Sequence, residues 1–146
     1  MINSATDERA ILAVIDGYTD ALNHRAWDRV EPLFMLDAVW GTVNFRDYGF
    51  KGARAIAEGL RSILDPAPLF VQMRTATVIT VAGDTADARS TVHERGDIGA
   101  GNYICYGSYA DRLQRQDGIW RFARRDFRYL YWQEGLAAGQ SFRPHQ

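Results

Sequence analysis

An α+β fold, with helices packed on one face of a curved, mainly antiparallel sheet, is predicted by two features of the sequence. Apolar residues recur at helical spacing as far as Leu64, and with a period of two after Phe70. Two short turn signals, Ala82-Gly83-Asp84 and Gln116-Asp117-Gly118, separate the long alternating runs at hairpin positions. Helices that precede a run of antiparallel strands cover one face of the sheet rather than interleaving with its strands.

The first helix is expected from about Ala5 to Arg25. Ile11, Val14, Ile15, Tyr18 and Leu22 fall on one stripe, and Asp7 and Glu8 suit the positive end of the helix dipole. A second, short helix is expected over Trp27 to Phe34, with Val30, Leu33 and Phe34 turned inward. Asp37 to Val43 reads as a strand, followed by a turn-rich stretch through Asp47-Tyr48-Gly49. A third helix runs from about Ala53 to Leu64 and is stopped by Asp65-Pro66-Ala67-Pro68. Four long strands follow: Phe70 to Val81, Thr85 to Arg95, Asn102 to Arg115, and Ile119 to about Tyr131. Gly99, Gly101 and Gly107 favour bends over a flat sheet. The expected core includes Ile11, Ile15, Leu22, Phe34, Val78 and Trp120.

At 146 residues the chain fits one domain, and 47% hydrophobic with 24% charged residues is ordinary for a globular protein. A formal net charge of −1 supplies no field toward nucleic acid or anionic lipid. A single cysteine, Cys105, excludes an internal disulfide framework and a cysteine-rich zinc site. No apolar run has the length of a membrane span and the first residues do not begin a signal peptide, so a cytoplasmic protein is expected.

The stretches IDGYTDALNHRAWDRVEPLFMLDAVWG, GFKGARAIAEGL, VITVAGDTADARS and YADRLQRQDGIWRFARRDF occur in an order that resembles the SnoaL-like proteins. These belong to the nuclear transport factor 2-like superfamily, with scytalone dehydratase, ketosteroid isomerase and bile-acid 7α-dehydratase among its members. The resemblance implies a single SnoaL-like domain over residues 1–146, with a core at about 8–128 and a C-terminal tail at 129–146. It further implies a cone: three N-terminal helices on a strongly curved sheet around a deep apolar pocket, assembled as a homodimer or homotrimer through the sheet.

Elimination or isomerisation without a cofactor needs a base, donors for a developing oxyanion and an acid for the leaving group, held in a dry pocket. Glu94 is the candidate for proton transfer. Counting by twos, Ala86, Ala88, Ser90, Val92 and Glu94 make a small or apolar face that ends in a carboxylate, and desolvation there raises a carboxyl toward neutral pKa. The bile-acid dehydratase has an acidic residue at the matching place. The competing reading is a frayed strand end with Glu94 solvated, or paired with Arg74 or Arg95. Tyr18 matches the helix tyrosine that the isomerase and the bile-acid enzyme use as a donor to substrate oxygen. Its place beside Ile15 and Leu22 also fits plain core packing.

Asn23 and Gln72 stand where dehydratase relatives carry aspartate and histidine, and Thr42 falls near the isomerase's aspartate base. None of the three titrates usefully, so Asn23 and Gln72 are assigned to orienting a ligand. Asp20 resembles, with an offset, the base of hexachlorocyclohexane dehydrochlorinase, but points away from the apolar stripe toward the surface. His93 falls on the polar face with Asp87, Arg89 and Thr91, unless a bulge swaps the faces.

Arg125 matches an arginine that several relatives place in the pocket. With a three-residue loop at Gln116-Asp117-Gly118, Tyr109 lies opposite Arg125 and Asp111 opposite Ala123. Two roles follow for this patch: an Asp111–Arg125 ion pair, or a clamp on a ligand anion or carbonyl. Trp40, Phe70, Tyr103, Tyr109 and Tyr129 are candidates to line a pocket for a flat ring, with Trp40, Tyr109 and Arg125 joining Asn23 and Gln72 as ligand-binding residues.

The sequence carries no glycine-rich phosphate loop, GxSxG elbow or HExxH helix. His24, His93 and His145 lack the spacing of a zinc site, so neither metal nor cofactor is expected. The functional expectation is a cofactor-independent, dehydratase-like lyase or isomerase acting on a small hydrophobic hydroxy- or keto-ring compound. The alternatives are a non-catalytic binding module for a hydrophobic ligand, and a small assembly subunit. Neither nucleic acid nor membrane is an expected partner.

Overall fold

The computed structural model describes residues 4–99, 101–137 and 139–144. Helix α1 spans Ser4–Asn23, and two 3₁₀ turns follow at Trp27–Arg29 and Glu31–Leu33. The remaining elements are β1 (Phe34–Thr42), β2 (Gly49–Lys51), α2 (Ala53–Leu64), β3 (Leu69–Ala82), β4 (Thr85–Asp97), β5 (Asn102–Gln116) and β6 (Ile119–Glu134). The six strands form one sheet in the order β2-β1-β6-β5-β4-β3. Only β1 and β6 run parallel; every other neighbouring pair is antiparallel. The helices pack on one face of this α+β cone, as the change of period predicts.

Helix α1 buries Ile11, Ile15, Tyr18, Ala21 and Leu22 against the sheet, and α2 buries Ile56, Leu60 and Leu64. The expected second helix is two 3₁₀ turns instead. Pro32 has no N–H and restricts Glu31 before it, so an α-helical ladder does not run through this stretch. The freed chain enters β1 at Phe34, three residues before the expected Asp37. Gly49–Lys51, which starts at the last residue of the expected turn-rich stretch, pairs with β1 as a short edge strand.

On β4 the expected alternation holds, with Ala86, Ala88, Ser90, Val92 and Glu94 on the inner face. On β3 it fails partway. Val78, expected in the core, is 57% exposed, because a bulge between Arg74 and Thr77 moves the pairing by one residue. Every side chain beyond the bulge changes face.

The β5–β6 hairpin closes on two residues. Gln116 pairs with Ile119, and Asp117 and Gly118 both take positive φ, 52° and 77°, as a tight primed turn requires. A bulge at Ala123 then adds one residue to β6, so that Asp111 faces Arg125 and Tyr109 faces Phe127. The expected pairing of Tyr109 with Arg125 and Asp111 with Ala123 is therefore corrected. The shorter loop and the bulge displace the register by two residues in total, which keeps Tyr109, Asp111 and Arg125 on one face. Strand β6 runs on to Glu134, three residues past its expected end at about Tyr131.

Candidate active site

Between the helices and the inner sheet face lies a cavity of about 60 Å³, room for a few water molecules. Its wall carries Tyr18 and Leu22 from α1, Trp40 and Thr42 from β1, and Leu60, Ile63 and Leu64 from α2. Strands β3 to β6 add Phe70, Gln72, Glu94, Tyr103, Tyr109, Phe127 and Tyr129. Among the described wall residues, Glu94 carries the only carboxyl group.

Both carboxylate oxygens of Glu94 are held. Gln72 Nε2 donates to Oε1 at 3.0 Å, and the Tyr103 hydroxyl donates to Oε2 at 2.8 Å. Tyr103 reaches it across Gly96, where an added Cβ would lie 2.6 Å from the Tyr103 hydroxyl oxygen. Glu94 is 9% exposed. Burial pushes its carboxyl above the usual range, and the two hydrogen bonds pull it part of the way back. Neither a frayed end nor an arginine partner describes this residue.

The cluster continues from Glu94 along the floor. Gln72 Nε2 also donates to the Tyr109 hydroxyl at 3.0 Å, and the Tyr109 ring meets that of Tyr18 edge to face, with ring centres 5.9 Å apart. Trp40 Nε1 donates to the Tyr18 oxygen at 3.1 Å. Indole N–H is donor-only, so the Tyr18 oxygen is an acceptor in that bond and its own proton is available to another partner. Burial raises the phenols of Tyr18, Tyr103 and Tyr109, so all three are neutral donors across the ordinary pH range.

Two expected ligand contacts are absent from the wall. Asn23 spends its amide on the backbone of Gln72: Nδ2 donates to Gln72 O and Gln72 N donates to Asn23 Oδ1, both at 2.9 Å. It locks β3 to the end of α1 and so aims the Gln72 side chain. Arg125 is fully buried below the floor, with Nε 3.0 Å from Asp111 Oδ1. The ion-pair reading of that patch is the one the structure takes. Burial lifts the Asp111 carboxyl to about 6, against the opposing pull of Arg125.

Thr42 lies on the wall, but its hydroxyl donates to Arg46 O and accepts from Tyr48 N. Asp20 is on the outside, paired with Arg29 at 2.7 Å. His93 is on the outer sheet face against Tyr106, ring centres 5.0 Å apart. His145 lies outside the described residues. Burial pushes the Cys105 thiol up to about 12, which leaves it unreactive. Tyr103 as the partner of Glu94 was not assigned from sequence; the signal for it is an aromatic residue paired across the strands with Gly96. Among the described residues no group of histidine, cysteine, aspartate and glutamate is arranged to hold a metal ion. No described helix is long and apolar enough to cross a membrane.

A helix-capped, curved sheet around a small polar cluster defines a cone-shaped pocket protein of the nuclear transport factor 2-like kind. The chain belongs to the SnoaL-like domain family, whose family model matches residues 3–126. No curated protein matches its sequence. Among solved structures, a scytalone dehydratase-like protein from Novosphingobium aromaticivorans is 22% identical, with 97% of this chain and 94% of that one covered and a TM-score of 0.77. Hexachlorocyclohexane dehydrochlorinase LinA type 3 from Novosphingobium barchaimii is 20% identical over 94% of each chain, with a TM-score of 0.81. A Mycobacterium tuberculosis protein described as of unknown function is 25% identical over 86% of this chain and 72% of its own, at 0.73. At such identities the likeness speaks for the fold.

Proposed function

We propose that the chain is a cofactor-independent lyase or isomerase that acts on a small, uncharged hydroxy- or keto-ring compound. The observation that carries this reading is the placement of one buried carboxyl, Glu94, on the same cavity wall as the Tyr18 hydroxyl. In the reaction, the Glu94 carboxylate takes a proton from the carbon beside a ring carbonyl. The electron pair moves onto the carbonyl oxygen, which Tyr18 holds by donating its hydroxyl proton. Glu94 then returns its proton, either to a departing hydroxyl that leaves as water or to a second ring carbon. The first outcome is dehydration and the second isomerisation. Desolvation raises the Glu94 carboxyl, which makes it a stronger base than a solvated carboxylate. Dehydratase and dehydrochlorinase names among the structural neighbours support the elimination branch.

The test is a panel of cyclic β-hydroxyketones and their unsaturated isomers. Glu94→Gln is expected to lower turnover by about 10²–10⁴ while binding stays within a few fold. Tyr18→Phe is expected to cost less, about one hydrogen bond to the oxyanion. Unchanged turnover in Glu94→Gln would sink the mechanism. One observation favours a second reading, a binding module: both Glu94 oxygens already have internal donors. That reading is upheld if the panel binds, is never turned over, and binds equally well to Glu94→Gln.

A further inference from the structure

The polar cluster of the cavity rests on a cation that the cavity does not touch. The guanidinium carbon of Arg125 lies 3.6 Å from the ring centre of Tyr109, 4.2 Å from that of Tyr18 and 4.6 Å from that of Phe122. None of its three nitrogens makes a well-formed hydrogen bond, and Asp111 is its ion-pair partner. Its charge is compensated by that carboxylate and by the negative faces of the rings. Tyr18 and Tyr109 line the cavity, and Arg125 does not. The two rings thus separate a permanent charge from the cavity, with the guanidinium behind them and their hydroxyls in the cluster.

We propose that Arg125 is a positioning residue whose charge acts through the rings of Tyr18 and Tyr109 to strengthen the Tyr18 hydroxyl as a donor, with Asp111 setting how much of that charge is felt. This deepens the acid–base reading above and rests on it for its catalytic consequence. The groups acting on the Tyr18 hydroxyl are Arg125 from β6, Tyr109 from β5, Trp40 from β1 and Glu94 from β4. Arg125 opposes the effect of burial on both phenols, and Glu94 works with burial. When Asp111 is ionised its charge cancels much of the field of Arg125. As pH falls through about 6, Asp111 takes a proton, so the donor is strongest on the acid side.

The test needs no turnover. Protein labelled with ¹³Cζ-tyrosine, with the Tyr18 resonance assigned from Tyr18→Phe, is titrated by NMR. Asp111→Asn leaves Arg125 uncompensated, and the Tyr18 midpoint is expected to fall by about one pH unit or more. The double variant Arg125→Met/Asp111→Asn removes both charges and keeps the volume, a change that buried pairs tolerate. Its Tyr18 midpoint is expected to rise, while Arg125→Lys stays near wild type. A merely structural pair would restore the fold in the double variant without moving the midpoint. If Asp111→Asn does not fold, the double variant and Arg125→Lys decide the matter. Coincident midpoints in wild type and the double variant would overturn the proposal. Failure of the Glu94 mechanism would appear in turnover alone and leave these titrations untouched.

Discussion

Asp111 and Arg112 are consecutive on β5, and each has an oppositely charged partner one strand away. Asp111 points inward to Arg125, with both side chains 0% exposed. Arg112 points outward to Asp87, with side chains 53% and 65% exposed. The outer pair is the shorter, at 2.7 Å against 3.0 Å, yet distance does not rank them. Water and salt screen the outer pair, and two mobile side chains must be ordered to make it. The inner pair is unscreened, so losing one partner strands a charge in an apolar site. One residue of strand parity separates a solvated ornament of the surface from an electrostatic fixture of the core.

The largest expected effect is from Arg125→Met alone, which leaves Asp111 without its cation. Urea unfolding should show a loss of about 3–5 kcal/mol, and Arg125→Met/Asp111→Asn should recover most of it. A loss no larger than that of a surface pair would erase the contrast.

A second inner-face charge sharpens it. Glu94 has a raised pKa in the folded state, so the folded protein holds this proton more tightly than the unfolded chain does. The stabilisation is fully present below the ordinary value of about 4.5 and is lost as pH rises through the folded value. Wild type should therefore lose stability relative to Glu94→Gln as pH is raised across that window. Paired urea curves at acid and neutral pH measure this, and a flat difference would count against a desolvated carboxyl.

Asn23→Ala removes two hydrogen bonds to the backbone of Gln72. It should cost about 1–3 kcal/mol, through the partly buried groups left unpaired. In a crystal structure of the variant, the Gln72 side chain should lose its aim at Glu94. The smallest effect belongs to the outer face: Arg112→Ala should change stability by no more than about 1 kcal/mol, and by less in high salt. A larger loss would mean that the outer pair is not behaving as a solvated one.

The candidate site was partly legible in advance. Glu94 on an inner face beside Tyr18 follows from counting by twos along β4 and by helical spacing along α1, and both counts are local. Gln72, Trp40 and Tyr109 also reach the wall. Asn23 and Arg125 do not, because a matching position gives the direction of a side chain and not the depth at which it ends. Asn23 meets a backbone amide pair before it meets the cavity, and the rings of Tyr18 and Tyr109 close over Arg125.

What the sequence determined by itself is what nearest neighbours decide: the change from helical to alternating period, the hairpin positions, and the inner face of β4. The tertiary structure decided the rest. The bulge in β3 turned Val78 outward, Pro32 and the start of β1 replaced a helix with two 3₁₀ turns, and the two-residue turn with the bulge at Ala123 set Asp111 against Arg125. Bulges and register are settled by which pairing buries the most apolar surface and leaves the fewest backbone groups unpaired across the whole sheet. That sum runs over strands far apart in the chain, so no local window of the sequence contains it.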